Sequence, residues 1–162
     1  MRPILIAVDG SGQSDRAVEY TGALLRETSG ARVTLFHVLK PIPRELLEHG
    51  GSENPQAEEQ LSKRLRTEQE EWIQTESARE YPILAQALDV LGKAGFPLDR
   101  ATTKFGHEED VVRNILEEAR AGNYGTVVVG RHRSQGTKRL FGKDTVEQLL
   151  RDAKDVAVWV VE

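Results

Sequence analysis

Short, continuous apolar segments recur along this chain, and they restrict its fold more than any other feature. Unbroken apolar strands are typical of parallel sheets covered on both faces, because a sheet with one wet face alternates apolar and polar residues. Strand-like segments occupy residues 3–8, 33–39, 98–105, 126–129 and 156–161. The segment 98–105 is more polar than the others and is typical of a sheet edge. Helical patterns separate the segments, so the sequence predicts an α/β fold, a five-stranded parallel open sheet with helices on both faces. No linker or internal repeat divides residues 1–162, which indicates a single domain.

The first helical pattern follows the first strand. Ser14 is predicted to be the N-cap of a helix over residues 15–27. Ala17, Tyr20 and Leu24 lie at helical spacing and are predicted to face the sheet.

The longest helical pattern covers residues 55–79 and is dense in glutamate, arginine and glutamine. Proline disfavours helical backbone in the residue before it, so Pro82 is expected to end or kink this helix near Tyr81. A further helical stretch precedes Gly95, and two more are predicted over residues 109–121 and 144–153. Val146, Leu149, Leu150 and Ala153 are predicted to be the inward residues of the last one.

The composition excludes several classes of function. Lysine plus arginine number 22 and aspartate plus glutamate 26, a net charge of −4, whereas nucleic-acid-binding domains are usually basic. Without cysteine there are no disulfides, thiolate metal sites or cysteine nucleophiles, and the four histidines lack metal-site spacing. No apolar run is long enough to cross a bilayer, and no signal peptide precedes the first strand. We therefore expect a cytoplasmic protein with no metal and with neither nucleic acid nor membrane as a partner.

Two strand ends carry residues suited to a ligand. The first strand runs into Asp9, Gly10 and Ser11, and the fourth ends at Gly130 before a basic loop. The cationic residues of that loop are Arg131, Arg133, Lys138, Arg139 and Lys143. Strand ends of this kind can hold phosphate through backbone N–H groups and positive charge, and adjacent ones form a crevice where the winding of the sheet reverses. The alternatives are an ordinary turn at Asp9 and a solvated basic loop.

In order and spacing, the strands and their flanking residues resemble the universal stress protein family over almost the whole chain. The matching segments are residues 4–11, 35–38, 106–112, 124–132, 141–150 and 156–161, with Glu108 in place of the usual proline. The resemblance implies the fold predicted above. It also implies a homodimer through the C-terminal strand, which begins at Val156 and ends at Val161, paired antiparallel with its symmetry mate.

The family's ATP-binding members share a loop of the form Gly, two residues, Gly, nine residues, Gly, then Ser or Thr. Gly130 matches its first position, but Arg133 occupies the second. Counted without a gap, the third glycine falls on Lys143 and the hydroxyl residue on Asp144. With one residue deleted, Gly142 supplies the third glycine and Lys143 replaces the hydroxyl residue. The loop is therefore a degenerate version of the family pattern.

The resemblance implies a site for ATP or AMP with adenine near the end of the second strand, at residues 37–39, and phosphates toward the basic loop. Its residues would be Asp9, Gly10, Ser11, Val38, Gly106, Gly130, Arg131, Arg133, Gly142 and Lys143. Because the loop is degenerate, we predict a non-catalytic, dimeric stress-response adaptor in which nucleotide binding is weak or lost. The alternative is a regulatory switch that binds ATP or AMP, and a slow ATPase ranks last because no catalytic base is recognisable.

Overall fold

The computed structural model describes residues 1–47, 54–107, 109–131 and 143–162, with Lys143 described by its backbone alone. Five strands alternate with four helices in this part of the chain. In chain order they are β1 (Ile4–Ala7), α1 (Gly12–Leu25), β2 (Val33–Val38), α2 (Pro55–Lys93), β3 (Ala101–Gly106), α3 (Val111–Ala121), β4 (Thr126–Gly130), α4 (Lys143–Asp152) and β5 (Ala157–Val161). Short 3₁₀ turns at Arg44–Leu46 and Leu98–Arg100 precede α2 and β3. No helix in the described residues has the length and apolar character needed to cross a membrane.

The five strands form one parallel sheet in the order β3-β2-β1-β4-β5. The chain winds outward from β1 to β3 on one side and from β4 to β5 on the other, so the direction reverses between β1 and β4. The predicted five-stranded parallel α/β sheet is confirmed, and the polar third strand lies at an edge as expected. Such a reversal opens a crevice at the carboxyl ends of the two central strands.

Helices cover both faces of the sheet, as the unbroken apolar strands require. On one face α1 and α2 pack over side chains such as Ile6 and Leu35. On the other face α3 and α4 pack over side chains such as Leu5, Phe36 and Val127. Successive residues of β1, β2, β4 and β5 therefore contribute to opposite core layers, which explains why these strands show no polar alternation in the sequence.

The inward face of α1 differs from the sequence prediction. Tyr20 and Leu24, predicted to face the sheet, are each 53% exposed, whereas Val18 and Thr21 are buried. The reason is a close approach between α1 and α2 at Gly22, where a Cβ atom would lie 3.0 Å from the Leu91 side chain. Small residues around Gly22 permit this approach, and the larger side chains of Tyr20 and Leu24 lie on the outer face.

The N-terminal boundary of α1 and one inward residue of α4 also differ. The N-cap of α1 is Ser11 rather than Ser14, because the Ser11 hydroxyl accepts a hydrogen bond from the backbone N–H of Ser14. In α4, Val146 and Leu149 are buried, but Leu150 is 50% exposed.

Pro82 was predicted to end or kink the helix near Tyr81, and the predicted end is wrong. α2 is one helix of 39 residues, about 58 Å long at 1.5 Å per residue, and Pro82 lies inside it. Pro82 is exposed, so water can satisfy the carbonyl that lacks its helical partner. The buried residues of the helix follow the proline, since Leu84 and Leu91 are buried and no described residue of α2 before Leu84 is.

Candidate functional site

The turn after β1 is a compact hydrogen-bonded unit. The backbone N–H of Ser11 donates to the Asp9 carboxylate at 2.9 Å, and the backbone N–H of Asp9 donates to the Ser14 hydroxyl at 3.2 Å. Gly10 has a φ of +78°, in the left-handed region that favours glycine. All three predicted site residues here therefore have a structural role in starting α1.

Gly130 lies against the first turn of α1. A Cβ atom on Gly130 would overlap the carbonyl group of Gln13 and would lie 3.0 Å from the backbone nitrogen of Ser14. The structure thus brings Asp9 and Gly130 together at the carboxyl ends of the strands, where β1 and β4 end side by side against the same turn of α1. The need for glycine at position 130 follows from this packing, without reference to a ligand.

Arg131 is held by β5. Its backbone N–H donates to the carbonyl of Val161 at 2.9 Å, which continues the β4–β5 ladder beyond Gly130. Its guanidinium Nη2 lies 2.9 Å from Oε1 of Glu162, and both side chains are about 40% exposed. The predicted phosphate contacts Arg133 and Gly142 lie outside the described residues, as does the side chain of Lys143.

Carboxylates dominate the described part of this crevice. Burial raises the pKa of Asp15 above its ordinary value, and the nearby negative charge of Asp9 raises it further. Burial is the larger cause, and the smaller contribution shows that the carboxylates of Asp9 and Asp15 repel each other. Arg131, a described cation at the carboxyl end of β4, has the Glu162 carboxylate as a partner.

Val38 and Gly106 lie at the ends of β2 and β3 but are enclosed. Val38 is buried in the core beneath α3, and a Cβ atom on Gly106 would overlap the side chains of Asn114 and Phe36. The Asn114 Oδ1 atom is buried and has no hydrogen-bond partner among the described residues. These two predicted site residues therefore have packing roles, and their side-chain positions offer no open surface to a ligand.

The predicted adenine position, residues 37–39, is also covered, since these residues are at most 3% exposed. The nearest described cavity lies beyond them and has a volume of about 540 Å³. It is lined by Pro41, Ile42, Pro43, Arg44, Leu47, His107 and Glu109. A ligand at this end of β2 would contact the loop after the strand rather than the strand itself.

The contact of α2 with the carboxyl ends of β1 and β2 could not be predicted from the sequence. His37 Nδ1 lies 2.8 Å from the carbonyl oxygen of Val8, so this nitrogen must carry the proton and donate. His37 Nε2 lies 3.6 Å from the Glu80 carboxylate of α2. Ile83, one turn further along α2, lies 3.2 Å from where a Cβ on Gly10 would be. The middle of α2 thus covers the carboxyl ends of β1 and β2, although His37 and Glu80 are far apart in sequence and no periodicity connects them.

In the described residues no group of three or more His, Asp or Glu side chains could hold a metal ion.

The site is defined by the reversal of winding between β1 and β4. It contains the capped start of α1, the enclosed Gly130 and the paired Arg131. Together with the parallel sheet, these features place the protein among the open α/β proteins that have a crevice at the carboxyl ends of the strands.

The comparisons specify the family. The model of the universal stress protein family matches residues 1–162, and this chain belongs to that family. No curated protein sequence gives a significant match. Among solved structures, UspA from Lactobacillus plantarum has a TM-score of 0.62 and 17% identity, covering 99% of this chain and 97% of its own. The Archaeoglobus fulgidus universal stress protein in complex with dAMP has a TM-score of 0.60 and 16% identity, covering 100% and 98%. A universal stress protein in complex with cAMP has a TM-score of 0.61 and 17% identity, covering 99% and 96%. At these identities the structural likeness shows the fold.

Proposed function

We propose that this protein is a non-catalytic universal stress protein that acts in the cytoplasm as a homodimeric stress-response adaptor, with nucleotide binding weak or lost. The observation that carries the proposal is the state of the crevice between β1 and β4. Among the described residues, two backbone N–H donors at the start of α1 are already used within the chain, and the carboxylates of Asp9 and Asp15 lie beside them.

Phosphate binding at a helix start needs free backbone N–H groups and positive charge. At the start of α1 the N–H of Ser11 donates to Asp9, and that of Ser14 donates to the Ser11 hydroxyl. The carboxylates of Asp9 and Asp15 would repel a phosphate, and the guanidinium of Arg131 is paired with Glu162. These contacts, together with the degenerate loop, support the proposal that the phosphates of ATP or AMP bind weakly or not at all.

The proposal that nucleotide binding is weak or lost is tested by measuring the nucleotide that co-purifies with the protein. The protein is purified without added nucleotide and denatured, and the supernatant is analysed by chromatography for ATP and AMP. We expect no released nucleotide and no thermal shift in millimolar Mg-ATP. Stoichiometric ATP or AMP in the supernatant would show that the site binds nucleotide tightly, and the adaptor proposal would then be wrong.

The homodimer is proposed from the surface beside β5. Among the described residues this strand has β4 as its one strand neighbour, and an edge strand offers its outer N–H and C=O groups to another chain. A groove of about 630 Å³ runs along it, lined by Tyr20, Leu24, Trp159, Val160, Val161 and Glu162. An antiparallel copy of the strand would pair with this edge and cover the groove in both subunits, which closes the assembly around a twofold axis.

Sedimentation equilibrium at tens of micromolar tests the dimer. Tyr20 is 53% exposed in the groove, so Tyr20→Glu should convert a dimer into a monomer while the fold is kept. Tyr81 is 52% exposed on α2, outside the residues that line the groove, and Tyr81→Glu is the matched control that should stay dimeric. A monomeric mass for the unmodified protein would refute the dimer.

A second candidate function is a switch that binds ATP or AMP. It is favoured by the likeness to universal stress proteins in complex with cAMP and dAMP, and by the basic loop after Gly130. Neutralising Arg131, Arg133 and Lys143 together should then weaken binding by far more than tenfold, since hydrogen bonds to charged groups contribute about 1.5–3 kcal/mol each. Measurable ATP binding that is unchanged in this triple variant would show that the loop is not the phosphate site.

A further inference from the structure

The ion pair between Arg131 and Glu162 follows from the register of the sheet. β4 and β5 pair in parallel with Gly130 opposite Val161, and the N–H of Arg131 donates to the Val161 carbonyl. The next residues on the two strands are Arg131 and Glu162. Cross-strand neighbours of opposite charge stabilise one another, so the backbone ladder presents the carboxylate to the guanidinium.

The carboxylate of Glu162 holds a position that suits the phosphate of a ligand. Arg131 comes directly after Gly130, at the carboxyl end of β4 where the winding of the sheet reverses. A guanidinium binds carboxylate and phosphate through the same donors. Its Nη2 is 2.9 Å from Glu162 Oε1, so a phosphate that approached this donor would compete with the carboxylate and would meet its charge.

We propose that Glu162 is a specificity-determining residue that occupies the anion position at Arg131 and disfavours ligands that carry a phosphate there. This inference rests on the proposed function, in which nucleotide binding is weak, and it names one residue that contributes to the weak binding. Glu162 acts as an internal carboxylate in competition with an external phosphate, and Arg131 is the group for which they compete.

The expected effect is modest because the pair is partly exposed. Ion pairs at exposed positions contribute little, which corresponds to a change in affinity of about two- to fivefold. Glu162→Gln should therefore strengthen the binding of inorganic phosphate and of AMP by about this factor at low ionic strength, and added salt should reduce the gain. Adenosine, which carries no phosphate, should bind the variant and the unmodified protein equally.

The test is an NMR titration of inorganic phosphate, AMP and adenosine into five proteins. They are the unmodified protein, Glu162→Gln, Arg131→Gln, the double variant and Glu117→Gln. The last is the matched control, because Glu117 forms a 2.9 Å ion pair with Arg113 on α3 and its replacement changes the net charge equally. We expect a gain for phosphate and AMP in Glu162→Gln, no gain in Glu117→Gln, and loss of the gain when Arg131 is also replaced.

Three results would overturn the inference. They are equal affinity of Glu162→Gln and the unmodified protein, including no binding by either; an equal gain in Glu117→Gln; and a gain that persists without Arg131. Failure of the proposed function gives a different result, since tight binding of ATP by the unmodified protein would refute weak nucleotide binding. The comparison of Glu162→Gln with its controls would still decide whether Glu162 competes for Arg131.

Discussion

Replacing Gly130 with alanine separates a packing role from a ligand-binding role for this residue. The new Cβ would lie 2.6 Å from the carbonyl carbon of Gln13 and 3.0 Å from the nitrogen of Ser14. Non-bonded carbon atoms prefer about 3.5–4.0 Å, so β4 and the first turn of α1 would have to separate by about 1 Å. Both groups that the Cβ meets are backbone, and no change of rotamer relieves the overlap.

The cost follows from the size of that separation. A gap of about 0.5–1 Å removes a quarter to a half of the dispersion attraction between β4 and α1. Substitutions that overpack a core typically lower the free energy of unfolding by about 1–3 kcal/mol. We expect Gly130→Ala to lower the free energy of unfolding by about 3 kcal/mol, the upper end of that range. For a chain of 162 residues this lowers Tm by roughly 6–12 °C.

Thermal and urea unfolding of Gly130→Ala are compared with those of Gly12→Ala. Gly12 begins α1, and a Cβ there would have no atom within 4 Å, so the same substitution should be neutral or stabilising by about 0.5–1 kcal/mol. If Gly130→Ala were as stable as the unmodified protein, the backbone contact would not be what requires glycine. The reason for the residue would then have to be sought in ligand binding.

Four further outcomes are expected. Ser11→Ala removes the N-cap of α1 and should cost about 1 kcal/mol in urea unfolding, whereas Ser11→Asp should retain most of the stability. Pro82→Ala supplies a backbone N–H inside α2 and should raise the free energy of unfolding by up to about 3 kcal/mol; a loss would contradict the continuous helix. Asp9→Asn should lower the pKa of Asp15 in a side-chain ¹³C NMR titration, and an unchanged pKa would refute the repulsion between them. Because the pKa of Asp15 is raised in the folded state, the stability gained from its protonation is present below pH 3.8 and is lost as pH rises through the folded-state pKa. Backbone amides of residues 55–80 should exchange with solvent faster than those of β4, since none of these residues is buried; uniformly slow exchange would indicate that a second surface covers them.

Much of the fold could be predicted from the sequence because it depends on local patterns. Unbroken apolar runs predicted the strands of a doubly covered sheet, and helical spacing predicted a helix over residues 109–121, where the structure has α3. The meeting of Asp9 and Gly130 at one edge also followed, since parallel strands end on the same side. These inferences need only the period of a strand or a helix and the direction of the chain.

The tertiary structure decided what depends on contacts between distant segments. Which face of α1 turns inward depends on the close approach of α2 at Gly22, and α2 passes through Pro82 because the ring faces solvent there. The charge of Arg131 predicted an anion site, but the register of β4 and β5 pairs it with Glu162. The sequence by itself determined the sheet and the location of the crevice, because apolar patterning and strand direction act locally. Only the tertiary structure decided how the charges and donors of that crevice are used, because hydrogen bonds and ion pairs depend on distances that the order of residues does not specify.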